Sequence, residues 1–392
     1  MSLGAAARDD RSAGDADVIV DVRLSSIRVP LGAGVSDAKV LTGVQRPMTE
    51  VPVLLAEVRT REGRSGMGFS YATRGGGPAQ FTHAVEIAPA LIGEDPSDVS
   101  RLWTKLVWAG ASVGRSGVAT QAIAAIDTAL WDLKARRADL SLAKLLGSHH
   151  DSLPVYNSSG GYLHAPSEAV RDAASAALAR GIGGLKIKVG QPDMARDISR
   201  VRALRAHVGA GVPIMVDANQ QWSRATAIRA ARALEEFTPT WIEEPLDAYD
   251  VTGHAALAAA VDTPIATGEM LTSVRDYERF VQADGVDILQ PDAPRIGGVT
   301  PFIEAMALAQ RAGVPIAPHF VMEVHVHLAA AYPQPSWIEH FEWLEPLFDE
   351  RLTIADGRVR VPTAPGLGLT VSDRARRWTT AEHVVGGASA TQ

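Results

Sequence analysis

Seven polar side chains recur along the second half of the chain, each closing a short apolar run: Lys188, Asp217, Glu243, Glu269, Asp292, His319 and Glu339. Their successive spacings are 29, 26, 26, 23, 27 and 20 residues, the length of one β-strand with its following helix. Asp217, Glu243 and Glu269 share one 26-residue step. Three carboxylates brought to one point repel, and burying them unpaired is costly. A divalent cation resolves the conflict, and hard oxygen ligands with room left for substrate and water favour Mg2+. Taken alone, each acid reads as a helix cap or a solvated loop residue; the shared register is what argues for a metal site. Spacing favours Glu243 only narrowly over its neighbour Glu244 as the second ligand.

Asp292 and His319 close neighbouring runs. A carboxylate beside a histidine fixes its tautomer and raises its basicity, which makes a proton-transfer dyad. Lys186 and Lys188 alternate with apolar residues in GLKIKVG (residues 184–190), so they share one face of a strand. On a surface sheet both would be solvated, but the acids and histidine downstream turn this face toward a common centre. A neighbouring cation, Lys186 or the metal, is expected to lower the pKa of Lys188 and let it act as a base. Schiff-base formation is the alternative chemistry for such a lysine, and it has no need of three carboxylates. His325 and His327, spaced i, i+2 on a predicted helix, are read as structural.

The elements that must position these groups follow from texture. Beyond Leu153, apolar runs at residues 153–159, 185–189, 212–217, 240–244, 263–269, 285–292, 314–319 and 336–340 alternate with amphipathic stretches. Eight β/α steps in this length predict a TIM-like (β/α)8 barrel, with a doubly wound open sheet as the competing fold. Earlier, strands are predicted from Val18, at residues 51–60 and at 66–73, followed by helices at 81–93, 98–108 and 116–138; this is an α+β domain. The expected division is a disordered leader at 1–15, an α+β capping domain at 16–145, the barrel at 146–345, and a C-terminal segment at 346–392 that returns to the capping domain. The polar stretch SDAKVLTG (residues 36–43) reads as a surface loop or, alternatively, a mobile lid. The glycine clusters at 75–77, 181–184 and 365–369 lack the strand, helix and acid of a dinucleotide fingerprint and read as turns.

Composition excludes several classes. With 392 residues, 46% hydrophobic and 21% charged, the chain is an ordinary soluble globular protein of two domains. A formal net charge of −7 argues against nucleic acid or an anionic membrane as partner. The absence of cysteine excludes disulfides, thiolate metal sites and cysteine nucleophiles. The opening residues are small and acidic with no apolar core of a signal peptide, and a cytoplasmic location is expected.

The motifs, in order, resemble the mandelate-racemase-like branch of the enolase superfamily: Lys186-Ile187-Lys188, Val216-Asp217-Ala218-Asn219, Trp241-Ile242-Glu243-Glu244-Pro245, Gly268-Glu269, Pro291-Asp292 with Ile296-Gly297-Gly298, Pro318-His319 and Trp337-Ile338-Glu339. In that superfamily Lys or His bases act with Mg2+ on an ene-diolate. The segments SDAKVLTG (36–43), WAGASVGRSG (108–117), NQQW (219–222), EEPLDAYD (243–250), ATGEMLTS (266–273) and QPDAP (290–294) further resemble its L-talarate/galactarate dehydratase family. The resemblance implies a six-carbon diacid sugar as substrate, with metal on Asp217, Glu243 and Glu269. It implies Lys188 and the His319/Asp292 dyad as base and acid, and Lys186 and Glu339 at the ene-diolate oxygens. Asn219 is placed on the substrate, and Asp37, Ala38, Lys39 and Arg74 at its distal end; Thr73 stands where that family carries a lysine. The expected reaction removes the proton α to a carboxylate and expels the β-hydroxyl, giving a 4-deoxy-5-keto hexarate, with epimerisation as a side reaction. The alternatives are a racemase or epimerase of a 2-hydroxy acid, a dehydratase of another acid sugar, and a catalytically silent binding protein on the same scaffold. The expected partners are the acid sugar and further copies of the chain in a homo-oligomer.

Overall fold

Three β-rich runs come first among the described residues as β1 (Ile19–Val35), β2 (Met48–Thr60) and β3 (Ser65–Tyr71), paired antiparallel. The computed structural model describes residues 17–387; the leader read at 1–15 lies outside the described residues. Helices Gly77–Ile87, Val99–Ala109 and Val118–Arg137 follow. The last is buried around most of its circumference because it packs between the sheet and the rest of the molecule. That packing depends on glycine in β3: a Cβ at Gly66 or Gly68 would stand 2.3 Å from the carbonyl oxygens of Ala129 or Ala125.

The barrel strands are β4 (Ser152–Asn157), β5 (Gly184–Lys188), β6 (Ile214–Asp217), β7 (Ile242–Glu243), β8 (Ile265–Thr267), β9 (Ile288–Leu289) and β10 (Ile338–His340). From β4 to β9 each strand pairs in parallel with the next, and β10 pairs in parallel with β4 on its other side. The strand predicted at 314–319 forms only one bridge, Ile316 to Leu289. Pro315 and Pro318 bring no N–H to the ladder, so the segment runs in the place of a strand without the full pairing. It still donates from Ala317 N to Leu289 O at 2.8 Å and from His319 N to Pro291 O at 3.2 Å. Tyr156, Met215, Ala266 and Ala317, from alternate staves, fill the barrel floor with Trp241, all at most 1% exposed.

After the barrel, β11 (Ile354–Ala355) and β12 (Arg358–Arg360) form a hairpin against β4, and β13 (Thr379–Gly386) pairs antiparallel with β1. The first sheet therefore has the order β13-β1-β2-β3. The architecture is a (β/α)8 barrel with an N-terminal α+β capping domain that the C-terminal segment completes. Among the described residues no helix is long and apolar enough to cross a membrane.

The seam between the domains joins a shared apolar core, in which Phe69 and Tyr71 cluster with Phe302 and Phe320, to a set of buried polar bonds. Asp127, on the long helix, accepts from Thr300 N at 2.9 Å and Thr300 Oγ1 at 2.6 Å at the start of helix Val299–Ala312. Gly298 makes room for it: its φ is 108°, and a Cβ there would lie 2.4 Å from Asp127 Oδ2. Trp103 Nε1 donates to Gly297 O at 2.9 Å, and Thr120 Oγ1 to Arg295 O at 2.7 Å. Gly298→Ala is expected to cost about 2 kcal/mol or more, from a disfavoured backbone and a displaced Asp127, and thermal or urea unfolding measures it.

His325 and His327 are buried on helix Met322–Ala330 and serve packing. His327 Nδ1 accepts from Ala143 N at 3.3 Å while Nε2 donates to Leu367 O at 3.2 Å, and burial pushes its pKa down to about 4. An unfolded imidazole takes its proton near 6.5, so this stabilisation is complete above that pH and is lost as pH falls through about 4. The whole effect is roughly 3 kcal/mol. In thermal melts His327→Gln should lose less stability than the wild type between about pH 7 and about pH 4.5.

Candidate active site

Strand alternation puts Lys186 and Lys188 on the inner face of β5, above the apolar floor. Lys186 is buried, with Nζ 2.5 Å from Glu243 Oε1, 2.6 Å from Glu339 Oε1 and 3.7 Å from Asp217 Oδ2. Lys188 pairs with Asp217 Oδ2. The second oxygen of Glu243 accepts from Gln290 Nε2 at 2.7 Å and Trp241 Nε1 at 3.1 Å. Asp217, Glu243 and Glu269 each offer an oxygen, and these atoms lie within 4.8 Å of one another. Glu269 Oε2 is buried with no hydrogen-bond partner. An all-carboxylate donor set with an orphaned oxygen fits a hard divalent cation, and these three residues would hold Mg2+. Glu244 turns aside at φ 40°, accepts from Gln220 Nε2 at 3.0 and 3.1 Å, and lines the cavity instead. Geometry thus picks Glu243 from the doublet.

Charge compensation sets the protonation states. Burial opposes ionisation of Asp217, but Lys188 and Lys186 outweigh it and hold the carboxyl below its usual range. Burial pushes the Lys188 pKa down and Lys186 adds to it, as expected, yet the carboxylate of Asp217 pulls it above the usual lysine value. The reason is proximity, since the contacting carboxylate outweighs the second ammonium.

Asp292 and His319 meet as a dyad, with His319 Nδ1 2.8 Å from Asp292 Oδ2. Burial lowers the His319 pKa, but Glu269 and Asp292 outweigh it and raise it to about 9. His319 Nε2 lies 3.4 Å from Glu269 Oε2. Glu339 accepts from Lys186, from Ser158 Oγ at 2.5 Å and from Phe320 N at 2.6 Å.

These groups open into a cavity of about 140 Å³ whose lining includes Lys188, Asn219, Glu269, His319 and Glu339 on the barrel side and Asp37, Lys39 and Arg74 on the capping side. Lys186, Asp217, Glu243 and Asp292 are buried at its base. The SDAK stretch is neither a plain surface loop nor remote from the site: Asp37 and Lys39 face the cavity, and Ala38 opens the short helix Ala38–Leu41. Arg74 pairs with Asp37 at 3.1 Å, so the two act as one unit. Phe320, Phe341, Trp343 and Tyr162 form an apolar wall. Sequence reasoning missed Tyr71 and Arg295, which also line the cavity, and weighed Glu244 only as an alternative metal ligand. Arg295 was findable, since it stands one helical turn after Asp292; Tyr71 carried no local signal.

Comparison with known proteins agrees with this geometry. Residues 168–375 match the enolase C-terminal domain-like family, and residues 40–147 the mandelate racemase / muconate lactonizing enzyme N-terminal domain. The chain is 57% identical over 379 residues to an L-talarate/galactarate dehydratase of Salmonella typhimurium (strain LT2), covering 97% of this chain and 95% of that protein. It superposes on an L-talarate dehydratase from Polaromonas sp. JS666, complexed with Mg and L-glucarate, with TM-score 0.93 and 62% identity over 95% of this chain and 100% of that one. Against the Salmonella typhimurium LT2 enzyme liganded with Mg and L-lyxarohydroxamate the TM-score is 0.94, with 55% identity over 98% of each chain. With both domains matched in order around one carboxylate, lysine and histidine site, the chain belongs to the enolase superfamily, in its mandelate racemase / muconate lactonizing enzyme branch.

Proposed function

We propose that the protein is a Mg2+-dependent acid-sugar dehydratase of the L-talarate/galactarate type. One observation carries the reading: Lys188 and His319, the latter backed by buried Asp292, face a single cavity beside the three carboxylates, in a chain 57% identical to such an enzyme. Asp217, Glu243 and Glu269 would hold Mg2+, which would supply Lewis-acid polarisation at the substrate carboxylate and offset the anionic pull of Asp217 on Lys188. Lys186 places its ammonium at the oxygen where the ene-diolate charge develops, and Glu339 fixes that ammonium from the other side. Lys188 Nζ or His319 Nε2 takes the α-proton. The opposite group donates a proton to the β-hydroxyl, which leaves as water, and the enol tautomerises to the 4-deoxy-5-keto hexarate. Asn219, Asp37, Lys39 and Arg74 orient the polyol chain from the mouth, and Ala38 sets the backbone between two of them.

Proton-transfer groups from two sides favour α-epimerisation as a minor second outcome. A racemase without a leaving group has no use for the polar capping wall, and a silent binding scaffold has none for a base and a dyad. Incubation with Mg2+ and galactarate or L-talarate should give a 2-keto acid trapped by semicarbazide. Turnover of another acid sugar alone would displace the substrate assignment and leave the mechanism standing. Lys188→Ala and His319→Asn should each lower kcat by at least about 10²-fold; intact turnover in both would end the mechanism. Chelation should abolish turnover and added Mg2+ restore it. By calorimetry, Glu243→Gln should weaken Mg2+ binding at least about tenfold, and more than Glu244→Gln does.

A further inference from the structure

Asp292 and His319 do not stand alone. Tyr71, at the end of β3 in the capping domain, donates from its hydroxyl to Asp292 Oδ2 at 2.6 Å, the same oxygen that His319 Nδ1 contacts. Arg295 Nε donates to the Tyr71 oxygen at 3.4 Å, and Arg295 N to Asp292 Oδ1 at 3.0 Å. Guanidinium only donates and carboxylate only accepts. The tyrosine oxygen is therefore the acceptor toward Arg295, and its proton must point at Asp292. With Asp292 held as an acceptor-only carboxylate, His319 Nδ1 must carry a hydrogen, so whenever the ring is neutral it is Nε2, on the cavity side, that is bare. Tyr71 OH also lies 3.4 Å from His319 Nδ1, but a donor there would force the proton onto Nε2 and block the base. Burial raises the phenol well above its usual range, so Tyr71 remains a donor. The ring is fully buried, with Phe320 packed edge-on at 4.7 Å.

We propose that Tyr71, backed by Arg295, is a positioning residue that locks the His319 tautomer through Asp292, so that the capping domain completes the barrel's proton-transfer dyad. The inference rests on the proposed role of His319 as the base on one face of the substrate. It predicts a face-selective defect. Holoenzyme with Mg2+ is incubated in D2O with each of a pair of α-epimeric hexarates, and loss of the α-proton signal is followed by NMR. His319→Asn and Lys188→Ala identify which epimer each base serves. Tyr71→Phe should slow exchange of the His319 epimer about 10- to 100-fold, with KM nearly unchanged, and leave the Lys188 epimer within about twofold. Asp292→Asn should show the same selectivity, and adding Tyr71→Phe to it should cost nothing further. Equal losses on both epimers, no loss on either, or a full additional loss in the double variant would overturn the inference while His319→Asn still shows its effect. If His319→Asn spares both epimers, the reading of His319 as a base falls, and the inference with it.

Discussion

The site rests on a buried balance of charge. Asp217, Glu243 and Glu339 are inaccessible to solvent, and the ammonium of Lys186 contacts two of them while lying near the third. Five carboxylates, counting Glu269 and Asp292, face two lysines and one histidine. Any one of these ions unpaired in the barrel would be strongly destabilising. The register of the staves is thereby fixed, because a one-residue slip would turn a lysine or a carboxylate into the apolar layer beneath the helices. This helps explain how strands as short as β7 and β9, two residues each, hold their place. Lewis-acid and proton-transfer chemistry draw on the same charges: the excess of carboxylate that attracts a cation is also what raises the His319 and Lys188 affinities for protons.

Labour is divided between the domains, and the seam joins it. The barrel carries Lys188, His319 and the carboxylates, each of which closes a different stave. The capping domain brings the polar wall of Asp37, Lys39 and Arg74 and reaches further in through Tyr71. The turn at residues 296–298 serves both domains. It follows Arg295 directly, and its glycines let Trp103 and Asp127 approach. A motif that looks like simple backbone permissiveness is thus the point where the long helix of one domain is bonded to the start of a helix in the other.

Particular residues show how far the chain could be read in advance. The carboxylate trio, the dyad and the KxK strand were legible because each sits at the same point of a repeating unit. The barrel was legible for the same reason, although the seventh stave lost its strand character to Pro315 and Pro318. The choice between Glu243 and Glu244 was not, since neighbouring residues differ in direction rather than spacing, and the left-handed backbone at Glu244 is what turns it away. The balance at Lys188 was not legible, because sign and distance of neighbouring charges are three-dimensional quantities: burial and, as expected, Lys186 lower its pKa, but the contacting Asp217 raises it. The SDAK stretch, polar and without periodicity, reads as surface from its own residues; only the family resemblance put it at the substrate, and Asp37 and Lys39 do face the cavity.

Sequence by itself determined the element types, the order of the staves and the identity of the groups that close them, because hydrophobic period and repeat length are local properties. The tertiary structure decided which of those groups touch. Tyr71 meets Asp292 across 221 residues of chain, and Trp103 meets Gly297 across 194. Such contacts leave no trace in composition or spacing, since they arise only when two separately patterned domains pack and their polar atoms must find partners in the space that remains.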